Sequence, residues 1–213
     1  WTAIAAGGGS RQSHSAFWTG TEMLVWGGTV VSSGIFGSST FPLNSGARYN
    51  LAANTWTSIA SAGVPAPRFD YSAVFTGPEM IIWGGRDCVG SLICSETNYN
   101  DGARYNLAAN TWTPLSLAGA PARRFGHAAA WSGTEMLVWG GQYREGSFDV
   151  VRSNYNNGAR YNPTANTWTP ISQTGTPAAR FGHDAVWAGN RLVIWGGTDG
   201  TNGFFDTGAR YFP

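Results

Sequence analysis

A chain built from one repeated unit can fold only into an architecture in which each unit packs on its neighbours, and four copies of one unit account for all of this sequence. Trp-Gly-Gly stands at Trp26, Trp83, Trp139 and Trp195, 56 or 57 residues apart. Gly-Ala-Arg-Tyr begins at Gly46, Gly102, Gly158 and Gly208, and Asn-Thr-Trp ends at Trp56, Trp112 and Trp168. In the third copy, residues 124–131 lead through a Ser-Gly-Thr-Glu turn into residues 136–139, two short β-prone runs that read as a hairpin. Residues 159–162 and 167–171 supply a third and a fourth strand across an Asn/Pro/Ala turn. Gly and Pro punctuate every join and no segment keeps a 3.6-residue period, so each copy predicts a four-stranded antiparallel meander with almost no helix. Sheets that cannot bury both faces alone predict blades around an axis: an all-β propeller with four blades per chain.

A hydrophobic run closed by Gly-Gly, a following Tyr and a Trp on the last strand resemble the kelch repeat, across essentially all 213 residues. The resemblance implies a single kelch β-propeller domain over 1–213, with Gly-Gly closing the second strand and Tyr and Trp packing between blades. Kelch rings usually hold more than four blades, so closure is a separate question. The chain opens on Trp1-Thr2-Ala3-Ile4, in phase with a fourth strand, and ends on a third strand at 208–211. Residues 1–5 are therefore expected to complete the last blade by pairing around 209–211, closing one chain into a ring of four or joining two chains.

Charged residues are 12% of the chain, all 13 cations are Arg, and the net charge is +1. That balance lacks the electrostatic footprint of a nucleic-acid partner or an anionic membrane surface. No apolar run is long enough to insert in a membrane, and the start at Trp1 without a signal-like segment predicts a soluble chain, processed or trimmed.

Residues locked to the repeat have a packing explanation. His14, His127 and His183 each follow an Arg by three positions, and Tyr71 takes that place in the second copy. Three imidazoles near the axis would suit a metal, but the copy with Tyr71 does without one, so each His is expected to hydrogen-bond within its own blade. No catalytic motif, metal site or cofactor is predicted, and without Lys there is no Schiff-base chemistry. A kelch-type copper oxidase would need a Tyr cross-linked to Cys, which the placement of the two Cys does not support.

What differs between copies is the join of the second and third strands: residues 29–45, 86–101, 142–157 and 198–207. Strand alternation puts these joins on one rim with the connections between copies. They carry the predicted ligand-binding set, Phe36, Phe41, Arg86, Asp87, Tyr99, Tyr143, Arg144, Phe148, Asp149, Tyr155, Asp199, Phe204 and Phe205. Aromatics with scattered polar partners suit a protein or glycan ligand. Cys88 and Cys94 share the second join, and their spacing allows a loop-closing disulfide, which would place the protein in an oxidising, secreted or periplasmic compartment. The function predicted is a non-enzymatic recognition module, a homodimer or part of a larger assembly. A carbohydrate-active enzyme with an axial site and a structural subunit of a cell-surface array are the alternatives.

Overall fold

The computed structural model describes residues 1–34, 37–89, 95–145, 151–201 and 203–213. It contains the antiparallel sheets of propeller blades, and no helix occurs among the described residues. Blade I comprises β1 (Ser15–Trp18), β2 (Glu22–Trp26), a projecting hairpin β3 (Thr29–Gly34) and β4 (Gly37–Pro42), then β5 (Gly46–Asn50) and β6 (Thr55–Ser58). Its sheet order is β1-β2-β5-β6, an antiparallel meander with the hairpin set outside it. Blade II repeats this with β7 (Ser72–Phe75), β8 (Glu79–Trp83), hairpin β9 (Arg86–Val89) and β10 (Ser95–Asn98), β11 (Gly102–Asn106) and β12 (Thr111–Pro114). Blade III has β13 (Ala128–Trp131), β14 (Met136–Trp139), hairpin β15 (Gln142–Glu145) and β16 (Val151–Asn154), β17 (Gly158–Asn162) and β18 (Thr167–Pro170). Blade IV is three-stranded: β19 (Asp184–Ala188), β20 (Arg191–Trp195) and β21 (Gly208–Tyr211).

The core lies between blades, because each sheet is apolar on both faces. Leu24, Trp26 and Ile59 of blade I pack on Met80, Ile82, Tyr105 and Trp112 of blade II. Ile81 and Trp83 of blade II meet Val138, Tyr161 and Trp168 of blade III, and Trp139 of blade III meets Leu192 and Ile194 of blade IV. The Gly-Gly motif exists for this seam. Gly140 has φ +70°, and a Cβ there would stand 2.5 Å from Cε1 of His183 in the next blade, so the imidazole seats where only a glycine leaves room.

The Asn-Thr-Trp motif supplies a second lock, legible in sequence only as a turn. Asn110 and Asn166 take the left-handed conformation, at φ +52° and +53°. Asn166 Oδ1 accepts from the Ser116 N–H while Trp168 Nε1 donates to the Ser116 carbonyl, both at 2.9 Å, so one residue leaving blade II is held at both backbone groups by blade III. Asn110 and Trp112 hold Ala60 in the same way, and Asn54 and Trp56 hold Ala5.

That last clamp places the start of the chain on blade I. Of the two pairings expected for residues 1–5, the one within the chain does not form: residues 1–4 are in no strand, Trp1 is wholly exposed, and among the described residues β21 pairs with β20. Ala5 is fixed to blade I at the opposite end of the row. Trp56 is half-buried, unlike Trp112 and Trp168 at 7% exposure, whose rings lie against Trp26 and Trp83 of the blade before them.

Candidate functional site

The rim is built from the hairpins and the connections between blades, as strand alternation requires, and among the described residues the first three joins carry antiparallel strand pairs while the fourth has the bridge Thr198–Phe204. The tracts are polar and threonine- or serine-bearing, and they zip in register, Val31 with Thr40 and Thr97 with Asp87. Neighbouring hairpins are tied together. Asn98 Nδ2 donates to the Arg144 carbonyl at 2.7 Å and its Oδ1 accepts from the Arg144 N–H at 3.4 Å. Asn154 Nδ2 donates to the Asp199 carbonyl at 2.6 Å. Sequence reasoning missed Asn98 and Asn154; the signal was their shared place before Tyr99 and Tyr155.

The candidate set divides under this geometry. Tyr99, Tyr155 and Phe205 are scaffold: each covers the buried arginine of its own blade, with ring centroids 4.1, 4.1 and 4.2 Å from the guanidinium carbons of Arg68, Arg124 and Arg180. They answer to Leu43 in blade I, since each donates its N–H to the second glycine of Gly-Gly. These three aromatics of the candidate set thus share one contact, although the tracts that carry them differ between copies. Arg86 is also engaged, donating to Asp70 at 2.8 Å and Glu96 at 3.2 Å between the rings of Phe69 and Phe125. Arg144 donates to Gln142 Oε1 and lies over Phe125 from the next hairpin. Asp87 accepts from the Cys88 N–H, and Asp199 from the N–H and hydroxyl of Thr201. Tyr143 is half-buried on β15. Phe41 is half exposed on β4, and Phe204 is 90% exposed. Phe36, Phe148, Asp149 and Cys94 lie outside the described residues, and with Cys94 so does the Cys88–Cys94 bridge.

The histidines are not gathered at the axis. His127 and His183 are buried in separate seams, edge-on to Trp83 and Trp139 of the preceding blade. His127 Nε2 meets Ser72 Oγ at 2.7 Å across the seam, which corrects the expectation of a bond within its own blade. Ser72 begins the innermost strand of blade II, so the bond joins two inner strands. Among the described residues no group of three or more His, Cys, Asp or Glu is placed to hold a metal ion.

Comparison with known proteins bears on this architecture. A model of the KLHDC2/KLHL20/DRC7 Kelch-repeats domain matches residues 13–208. The chain belongs to the kelch-repeat family. Its relatives include Tip elongation aberrant protein 1 of Schizosaccharomyces pombe, 30% identical over 92% of this chain and 16% of that protein. Kelch domain-containing protein 3 of Homo sapiens is 27% identical over 89% of this chain and 48% of its own length. Acyl-CoA-binding domain-containing protein 4 of Arabidopsis thaliana is 29% identical over 70% of this chain and 21% of its own. The chain thus spans about half or less of the length of these relatives.

In this kelch array the arginine under each rim aromatic holds the rim to the blade. Arg124 donates to the carbonyls of Ala122, Gly140 and Asn157 and to Asn157 Oδ1, all within 3.0 Å. Burial brings its guanidinium down to about 10, still charged at neutral pH. Arg124→Met should cost about 2–3 kcal/mol, because it keeps the stem and leaves the carbonyls without a donor. Arg124→Lys should cost nearly as much, since one ammonium cannot reproduce the fork. Urea midpoints check this; a lysine variant as stable as the parent would show that charge alone is used.

Proposed function

We propose that this kelch array is a protein-recognition module whose partner docks on the hairpin rim. The carrying observation is the split within the candidate set: Phe41 and Phe204 are exposed on a wall where Tyr99, Tyr155 and Phe205 are held against arginines. Exposed aromatics on a rigid base are what hot spots are made of, because they bring large contact area at little entropic cost. Kelch domains generally act as non-enzymatic protein-binding modules, which supports a protein over a glycan. The opposite face offers only short turns such as Thr19 to Glu22 and Ser132 to Glu135, each closed by its own hydroxyl and explained by chain reversal.

The test is to probe peptide and glycan arrays with the chain and measure affinity for whatever binds. Peptide ligands are expected, and Phe204→Ala and Phe41→Ala should each weaken them by about tenfold or more, while Thr134→Ala on the opposite face leaves them unchanged. Binding confined to glycans, or loss in Thr134→Ala alone, would overturn the reading.

A further inference from the structure

Two asparagines of the rim reach beyond their own blades. Asn98 ends β10 and Asn154 ends β16, and each side chain bonds the hairpin or turn that follows. Asn98, 5% exposed, meets both backbone groups of Arg144, as a residue of an adjoining strand would. The next residue repeats the step with its main chain: the Tyr99 carbonyl accepts from the Arg124 N–H at 3.0 Å, and the Tyr155 carbonyl from the Arg180 N–H at 3.2 Å. Each Asn-Tyr pair is therefore a strut that leaves one blade and holds the next at two levels. Blade I has Pro42 in the asparagine place and still packs on blade II, so the seam between blades does not depend on the amide.

The struts act in series. Arg144 lies on β15, whose Gln142 stands in register with Asn154 on β16, so the hairpin that Asn98 holds is the one that bears Asn154. Asn154 Nδ2 in turn holds the Asp199 carbonyl at 2.6 Å. Asp199 adjoins Thr198, which pairs with Phe204 in a single bridge and whose hydroxyl donates to the Gly203 carbonyl at 2.6 Å. The turn that carries Phe204 is thus closed by its own hydroxyl and tied at Asp199 to the neighbouring blade.

We propose that Asn154, braced by Asn98, is a positioning residue for partner recognition: it holds the turn bearing Phe204, so that a partner meets the ring already in place. This rests on the reading of the rim as the docking face. The physical basis is preorganisation, since a turn held before binding has less freedom left to lose on binding. Asn154 acts through Phe204, and Asn98 acts through the hairpin that bears Asn154. Neither needs to touch the partner, and buried Asn98 does not present its amide to one.

Hydrogen exchange of the free chain and affinity for a peptide ligand taken from the arrays test this together. Asn154→Leu keeps the branched shape and removes the amide. It should speed exchange at the Gly200 and Thr201 amides by about tenfold and leave those of Arg160 and Tyr161, in the blade III sheet, unchanged. Asn154→Ser, which adds no apolar surface, should match it and stands in if the leucine disturbs the rim. Affinity should fall by about fivefold in the parent and not at all in a Phe204→Ala background, because the asparagine acts through that ring. Asn98→Leu should give a smaller loss of the same kind. Unchanged exchange in the turn would show that the turn holds itself and would overturn the proposal. A loss that adds in full to that of Phe204→Ala would overturn it equally, since Asn154 would then act by another route. A ligand indifferent to both Phe41→Ala and Phe204→Ala, or the absence of any peptide ligand, would overturn the docking reading and this proposal with it.

Discussion

Replacing Trp168 by Ala should cost about 3–5 kcal/mol, and Trp112→Ala should cost as much. Each ring is 7% exposed, lies against a Tyr of its own blade and a Trp of the preceding one, and spends its N–H on a backbone carbonyl leaving that preceding blade. Truncation removes the transfer energy, leaves a cavity between two stiff sheets and loses that hydrogen bond. Trp56→Ala is the internal control, because its ring is half-buried, touching Tyr49 and the residues 5–8 segment. About half the loss is expected there, in proportion to the smaller buried area. Equal losses at all three positions, read from urea midpoints, would mean that the seam between blades contributes nothing beyond the blade itself.

Acid should destabilise the seams before carboxylates titrate. Burial lowers the His127 imidazole to about 3, helped by the nearby Arg124 charge and by His183. Burial lowers His183 to about 4, with Arg180 acting in the same direction and Asp184 opposing. Both values lie below the 6.5 of an unfolded chain, so the unfolded state takes up protons first and stability falls with pH. The contribution is whole above pH 6.5 and declines below it, by about 1.4 kcal/mol per pH unit for each histidine. At pH 5 the two together should remove about 4 kcal/mol. His183→Gln should halve the slope, since it removes one of the two titrating groups. A stability flat between pH 6.5 and 5 would show that both rings open to water before they charge.

These expectations differ in where they could be read. The repeat, the meander, the turns and the kelch membership follow from residues that recur in register, because strand alternation and turn chemistry are local. The burial of Trp112 and Trp168 also follows from phase along a strand. The rim was legible as a place, since antiparallel order alone puts the variable joins together. Its contents were not. Tyr99, Tyr155 and Phe205 sit in tracts that differ between copies, yet they repeat one contact with a buried arginine, and only the spatial register of each hairpin shows it. His127 bonds across a seam because the inner strands of adjacent blades converge, a distance no spacing within one copy encodes.

The ends of the chain mark the same boundary. The phase of the repeat alone marks Trp1 to Ile4 as matching the start of a fourth strand. Where that segment sits is a matter of packing. The Asn54 and Trp56 clamp fixes Ala5 to blade I, and the inter-blade contacts carry β21 to the far end of the row. The physical reason is that a strand's character is set by its own side chains, while its partner is set by the rigid packing of everything between them.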